Sequence, residues 1–376
     1  MVLGKGHQTP DNVTTQATYG GSIGQRSYDR TLTLSQMLFD GFGTSSEVDR
    51  NRARVESSSH KLAYTSEQTA LKAIESYLEV LRQREVLKLT QDNLAVHERT
   101  YDQIKLRATS GVGRKSDQDQ IEARLALARA NLTAAEANIE VAEINYKLVV
   151  GSMPKELEKP SAPDASLLPK KAEEAVQTVI TNNRILQSAK ADLEAAKFQH
   201  NAAMSFMYPR LDLELGVQKN DFVSPVDSTN DNNKYAMLKL RYTLFKGGSD
   251  YARVNETKQL ANEAQEVMRR AERQLEQTAR ISFNAYQSAH DRLPNLRKHA
   301  ESSLLTREAY TKQFSIGQRT LLDLLDTENE YFTASTNYVN GMYVELFSRY
   351  RVLTDAGRLL NTIGVAHREE VALPAH

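Results

Sequence analysis

The sequence predicts a mainly α chain with a small membrane β part, arranged as two copies of a strand–strand–long helix–helix unit. Three observations predict it. Leu32-Thr33-Leu34 … Leu38-Phe39-Asp40-Gly41 recurs as Leu238-Lys239-Leu240 … Leu244-Phe245-Lys246-Gly247, an offset of 206 residues. Gly113-Arg114-Lys115-Ser116 … Asp119 recurs as Gly317-Gln318-Arg319-Thr320 … Asp323, an offset of 204. Two dissimilar landmarks that keep nearly one offset mark an internal duplication, which decides the fold before any local feature does. Finally, no run approaches the roughly 18 apolar residues of a membrane-spanning helix, so passage through a bilayer would have to be made by strands.

The strands come first. Val13, Thr15, Ala17 and Tyr19 share one face of a short run that breaks at Gly20-Gly21. Leu32, Leu34 and Leu38 alternate with polar neighbours up to Phe39, apart from Gln36. In the second copy Leu211, Leu213, Leu215 and Val217 alternate with Asp212, Glu214 and Gly216, and Leu238, Leu240, Tyr242 and Leu244 alternate with Lys239, Arg241 and Thr243. Period-two alternation of this kind reads as strand, each of about 8–10 residues, near the length of a tilted transmembrane strand. Lys219 to Lys234, rich in Asn, Asp and Ser, reads as a long external loop of the kind membrane barrels carry.

The helices follow. Ser45 to Arg107 and Ser249 to Phe314 are helical in pattern, with a kink expected at Pro294 and a length of about 90–100 Å each. Val80, Leu87, Leu94 and Tyr101 recur at seven-residue steps. The returning helix steps by fours and threes through Ile121, Leu125, Ala128, Leu132, Ala135, Ile139, Ala142 and Tyr146, and its counterpart carries Leu325, Phe332, Val339, Leu346 and Leu353. This is coiled-coil spacing with small Ala knobs that permit close approach. At the tips Gly113 and Gly317 are placed to take positive φ, and Ser116 and Thr320 stand three residues before Asp119 and Asp323, a pattern close to a capping box with Asp at N3. Pro154, Pro160, Pro163 and Pro169 mark a non-helical linker, after which a third helix runs from Lys171 to Met207.

Composition narrows the function. Lys+Arg and Asp+Glu both number 48 in 376 residues, so the basic excess a nucleic-acid partner needs is missing. There is no cysteine, which suits a periplasmic or extracellular chain. The eight histidines are scattered and no zinc-protease, nucleophile-elbow or phosphate-loop motif is present, so no catalytic, cofactor or metal site is expected and the chain does not read as an enzyme. His97, His290 and His299 read as seam or surface residues, and Glu136, Glu140 and Glu143 as a solvated helix face. Four strands cannot close a barrel, and lipid tolerates no open edge. Several copies must therefore share one barrel; three give twelve strands, within the range of bacterial barrels, whereas two give eight and a lumen filled by side chains.

The Leu-Phe-x-Gly after each strand, and Ile316-Gly317-Gln318-Arg319-Thr320-Leu321-Leu322-Asp323-Leu324-Leu325-Asp326 at the second tip, resemble the TolC family of outer-membrane exit ducts over about residues 12–361. Tyr101-Asp102-Gln103-Ile104-Lys105-Leu106-Arg107 and Asp326-Thr327-Glu328-Asn329-Glu330-Tyr331-Phe332 are most similar to its type I secretion branch, which includes adhesin exporters. The resemblance implies a homotrimer with a twelve-strand barrel in outer-membrane lipid, continued by a coiled-coil α-helical periplasmic tunnel. It implies as partners a periplasmic adaptor and an inner-membrane ABC transporter, or alternatively a proton-driven pump in a drug or metal efflux system. A soluble coiled-coil scaffold is a distant alternative that leaves the paired strands unexplained.

On this resemblance residues 12–44 and 210–247 form barrel strands and loops, 45–150, 170–208 and 248–357 the helical tunnel, and 151–169 and 358–376 the equatorial and linker segments. Asp323 and Asp326 match the acidic rings of the periplasmic aperture, where mutual repulsion would raise their pKa values. Arg319 matches the tip arginine, and its link to Gln118 or Asp119 is the expected latch. Phe314 stands where the best-known members have a tyrosine, and Gly113, Ser116, Gly317 and Thr320 fall at the positions expected to dock the adaptor. The helix of about 37 residues that precedes the strands of the second copy has only about ten residues opposite it in the first, and the start is not a signal peptide; the sequence therefore predicts a missing signal peptide and first helix.

Overall fold

A computed structural model of the chain describes residues 26–111, 113–223 and 228–365. The duplication appears directly in the helices. The 206-residue offset carries α1 (Gly43–Thr109) onto α5 (Ser249–Ser315), each 67 residues long. It carries α2 (Lys115–Val150) nearly onto α6 (Leu321–Asp355). Between the copies lie α3 (Ala172–Asn182) and α4 (Arg184–Met204), and α7 (Leu359–Thr362) follows α6. Strands β1 (Arg26–Phe39), β2 (Arg210–Val223) and β3 (Ser228–Arg241) form one antiparallel sheet in the order β1-β2-β3. The chain divides into two compact units, one within residues 1–56 and 190–267, the other within 57–189 and 268–376.

In the first unit the register sorts side chains by face. Leu32 lies opposite Val217 and Leu34 opposite Leu215. Leu213 lies opposite Leu238 and Leu211 opposite Leu240. Pleating puts these on one face, and Leu32, Leu34, Leu238 and Leu240 are 49–67 % exposed. The other face is charged and internally paired. Asp212 takes Arg210 at 3.1 Å and Arg241 at 2.6 Å, and Glu214 takes Lys239 together with the Tyr235 hydroxyl at 3.1 Å. Gly216 leaves room for that tyrosine, because a Cβ there would stand 2.2 Å from the ring. Apolar outside and polar inside is how a transmembrane barrel strand distributes its residues.

The sheet corrects three expectations. The strands are 14 residues long, because the hairpin ladder runs on through the Asn/Asp-rich stretch: Lys219 pairs with Asn232 and Asp221 with Asn230. Most of Lys219–Lys234 is thus strand rather than external loop; backbone hydrogen bonds hold it, and alternation of side chains is not needed. Tyr242 and Leu244 lie past the end of β3, because Arg241 already pairs with Arg210 at the start of β2 and the next partner is Pro209, which has no N–H to offer. β1 instead extends to Phe39 through a register shift between Met37 and Phe39. The expected Val13–Tyr19 strand lies outside the described residues.

The second unit is a helical bundle, and its principal core joins Leu78 and Leu81 of α1 to Val339, Tyr343, Leu346, Tyr350 and Leu353 of α6. The heptad positions of α2 face inward: Ile121, Leu125, Ala128, Ala135 and Ala142 are buried. Side chains of the bundle fasten the non-helical linker by its carbonyls. Tyr77 donates to Glu158 at 2.6 Å, Arg84 to Lys155 at 2.9 Å and Tyr350 to Ser161 at 3.3 Å. The expected Lys171–Met207 helix is broken. Asn183 is extended (φ −65°, ψ 125°), its side chain accepting from the Ile185 amide and donating to the Asp355 carbonyl, both at 2.9 Å, and Ser205–Met207 tightens to a 3-10 turn. Pro294 is carried inside α5, which continues past it. No helix among the described residues is long and apolar enough to cross a membrane.

Candidate functional site

The two helical hairpins of the second unit, α1–α2 and α5–α6, end on a common apolar plug. Ile104 of α1, Ile121 of α2, Phe314 of α5 and Leu321, Leu324 and Leu325 of α6 are all buried and in mutual contact, with Tyr101 packed beside them. Phe314, at 6 % exposure, is an anchor of this plug, and the Arg107 guanidinium lies 5.2 Å from its ring centroid. A hydroxyl at this position would be buried in an apolar cluster, so a phenylalanine here serves packing.

The second tip meets its expectation. Gly317 takes φ 77°. Thr320 caps α6: its hydroxyl accepts from the Asp323 amide at 3.2 Å, and the Asp323 carboxylate accepts from the Thr320 amide at 3.1 Å and hydroxyl at 2.8 Å. That capping box holds the Asp323 carboxyl below its ordinary range, the Thr320 hydroxyl contributing most and its amide next. The direction within one chain is opposite to the rise expected from repulsion between copies, because the cap supplies hydrogen bonds only to the ionised form.

The first tip differs. Gly111, not Gly113, takes the left-handed turn at φ 76°. Gly113 is required for closeness instead, since a Cβ there would stand 2.8 Å from the Ala108 nitrogen and 3.0 Å from the Arg107 carbonyl carbon. Ser116 does not cap α2. Arg114 is the extended N-cap residue and has no side-chain cap, so Ser116 sits a residue inside the helix and its spacing to Asp119 has no capping role. Gln118 and Asp119 lie in the opening turns of α2.

Arg319 is not joined to either of them. Its Nε donates to the Gln313 side chain at 2.9 Å, and its guanidinium lies 4.2 Å from the Tyr310 ring centroid. Within this chain the exposed Arg319 guanidinium is taken up by a hydrogen bond and a ring stack on its own hairpin rather than by the neighbouring tip. An ion pair that crosses between the tips was not anticipated: Arg124 of α2 meets Asp326 of α6 at 3.2 Å. Its signal was present in the sequence, since Arg124 flanks seam residue Leu125 and Asp326 flanks seam residue Leu325, where coiled coils place interhelical ion pairs. Two residues beyond, Glu328 is 4 % exposed, with Arg307 3.9 Å away, and burial raises its pKa.

The histidines hold structural contacts: buried His97 with the Asn93 carbonyl at 2.8 Å and His290 with Glu345 at 3.2 Å. No group of His, Asp and Glu able to hold a metal occurs among the described residues.

A duplicated long-helix hairpin and, in the same chain, a sheet with one lipid-compatible face define a class, the outer-membrane channel-tunnels. The pattern of the family described as outer membrane efflux protein matches residues 6–152 and 175–344, and the chain belongs to that family. Its members are transport conduits of the outer membrane, and that is where this chain resides. It is similar to the outer membrane efflux protein BepC of Brucella suis biovar 1, at 24 % identity over 87 % of this chain and 72 % of the relative. It is similar also to the outer membrane protein TolC of Salmonella enteritidis, at 24 % identity over 90 % of this chain and 70 % of that one. Among solved structures, the open state of the Neisseria gonorrhoeae MtrE outer membrane channel superposes with a TM-score of 0.76 at 17 % identity, covering 94 % of this chain and 80 % of that one.

Proposed function

We propose that the chain is the outer-membrane exit duct of a tripartite export system, in which three copies share one twelve-strand barrel and one helical tunnel. The observation that carries this is the sheet. β1 and β3 are its outer strands among the described residues, its apolar face is uncovered, and lipid forbids unpaired strand edges, so further strands from other copies complete it. A second uncovered seam supports assembly through the helices: Leu127, Val141 and Leu148 of α2 follow a heptad spacing and are 52–83 % exposed. In this reading the tips form the periplasmic aperture, Asp323 and Asp326 supply its fixed charge, and an adaptor docks around Gly113, Ser116, Gly317 and Thr320.

The substrate reading is type I secretion of a large protein such as an adhesin, fed by an ABC transporter. It rests on the likeness of Tyr101–Arg107 and Asp326–Phe332 to that branch. The efflux alternative is favoured by the similarity to BepC, an outer membrane efflux protein. Deletion of the gene separates them. Secretion predicts loss of a large surface protein with drug and metal tolerance unchanged; intact surface protein with sensitised cells would replace it with efflux.

A further inference from the structure

We propose that Arg124 sets the charge of the aperture by cancelling Asp326, which leaves Asp323 as the carboxylate that a passing ion meets. The inference rests on the reading of the tips as the aperture. It starts from an inequality between two aspartates that the sequence presents as equivalent. Asp326 is on the rim of the apolar plug, next to buried Leu325, and its Oδ1 lies 3.2 Å from the Arg124 guanidinium. The Arg124 side chain is 33 % exposed and that of Asp326 60 %. Asp323, one turn earlier, receives its hydrogen bonds from Thr320, which carries no charge. Arg319 is directed to Gln313 and Tyr310. One carboxylate is therefore in direct contact with a guanidinium, whereas the other feels only the more distant charge of Arg319.

An exposed pair of this kind contributes little to stability, but its effect on the local field does not depend on its strength. A guanidinium held beside a carboxylate turns a fixed negative charge into a dipole whose potential falls off faster with distance. Arg124 thereby halves the fixed charge that Asp323 and Asp326 would otherwise present in every copy. Because Arg124 belongs to α2 and Asp326 to α6, the compensation also depends on the two tips remaining together. When they part, Asp326 is released as an uncompensated charge, so an opened aperture is more cation-selective than a closed one.

The test is a charge cycle on the full chain, read as reversal potentials in planar bilayers with dilute KCl on one side, about 0.01 M, where the Debye length is about 30 Å. Arg124→Gln raises the K⁺ to Cl⁻ permeability ratio about fivefold, the change that a shift of about 0.8 kT in local potential produces because the two ions respond in opposite directions. Asp326→Asn lowers the ratio, and Arg124→Gln combined with Asp326→Asn restores the wild-type value, because the pair's net charge is again zero. Arg124→Lys keeps the wild-type ratio. An unchanged ratio in Arg124→Gln, or a double variant that behaves as Asp326→Asn alone, overturns the proposal. Asp323→Asn separates the two levels. If it shifts the ratio while Arg124→Gln does not, Arg124 is wrong and the aperture stands; if no variant shifts it, the aperture lies elsewhere and the role of Arg124 falls with it.

Discussion

Thr320→Ala removes the oxygen on which the second tip is built. In the native cap that hydroxyl satisfies the Asp323 amide at 3.2 Å and donates to the Asp323 carboxylate at 2.8 Å. Loss of a threonine N-cap costs about 1 kcal/mol, which corresponds to about a fivefold rise in the population of open first turns. The readout is amide hydrogen exchange over Leu321–Leu325, expected to accelerate about fivefold while the middle of α6 is unaffected. Thr320→Ser keeps the oxygen and should stay close to wild type. The pH dependence has a defined sign. The Asp323 carboxyl is depressed below its ordinary range, so its share of the cap is present above the unfolded pKa and is lost as pH falls through the folded one. The wild-type advantage over Thr320→Ala therefore holds at neutral pH and narrows in acid, as Asp323 protonates. Unchanged exchange in Thr320→Ala, or a Thr320→Ser variant as labile as Ala, would refute the cap as the element that orders this tip.

Gly113→Ala drives a Cβ against the backbone of Arg107 and Ala108, atoms that cannot rotate away, and should cost about 1–3 kcal/mol; limited proteolysis within 107–114 reads it, with Gly111→Ala, whose Cβ would meet open space at φ 76°, losing only about 1 kcal/mol. Glu67, 1 % exposed, accepts the amides of Leu359 at 3.0 Å and Leu360 at 3.4 Å, so Glu67→Ala should speed exchange at those amides about tenfold or more. Burial raises the Glu67 carboxyl, so native stability falls as pH rises from the unfolded pKa through the folded one, and Glu67→Gln should abolish that slope in a pH series of the same exchange measurement.

The sequence was most legible where one periodicity ran for many turns. The 206-residue offset, read from a strand-end motif, proved to superimpose the bounds of α1 and α5, and the seam residues Ile121, Leu125, Leu325 and Leu353 are buried. It was least legible where partners decide. β2 and β3 extend through polar residues because each supplies the other's hydrogen bonds, and β3 stops where Pro209 withholds one. Asn183 breaks a helix because the Asp355 carbonyl is within reach of its side chain, which a local pattern cannot record. At the site, Thr320 and Asp323 were legible as a pair because capping is local. The same spacing misled at Ser116, where the helix begins two residues too early for it to cap, and the contacts that Arg319 makes with Gln313 and Tyr310 within its own hairpin are tertiary facts that no local pattern records.

The shared barrel is the claim from which the duct, the aperture and the charge cycle all follow, and the protein mass of the detergent-extracted complex, by light scattering with detergent subtracted, tests it most directly. The account predicts three times the chain mass, stable only while detergent covers the apolar face of β1–β3. A chain that remains a well-behaved monomer in buffer without detergent would contradict it.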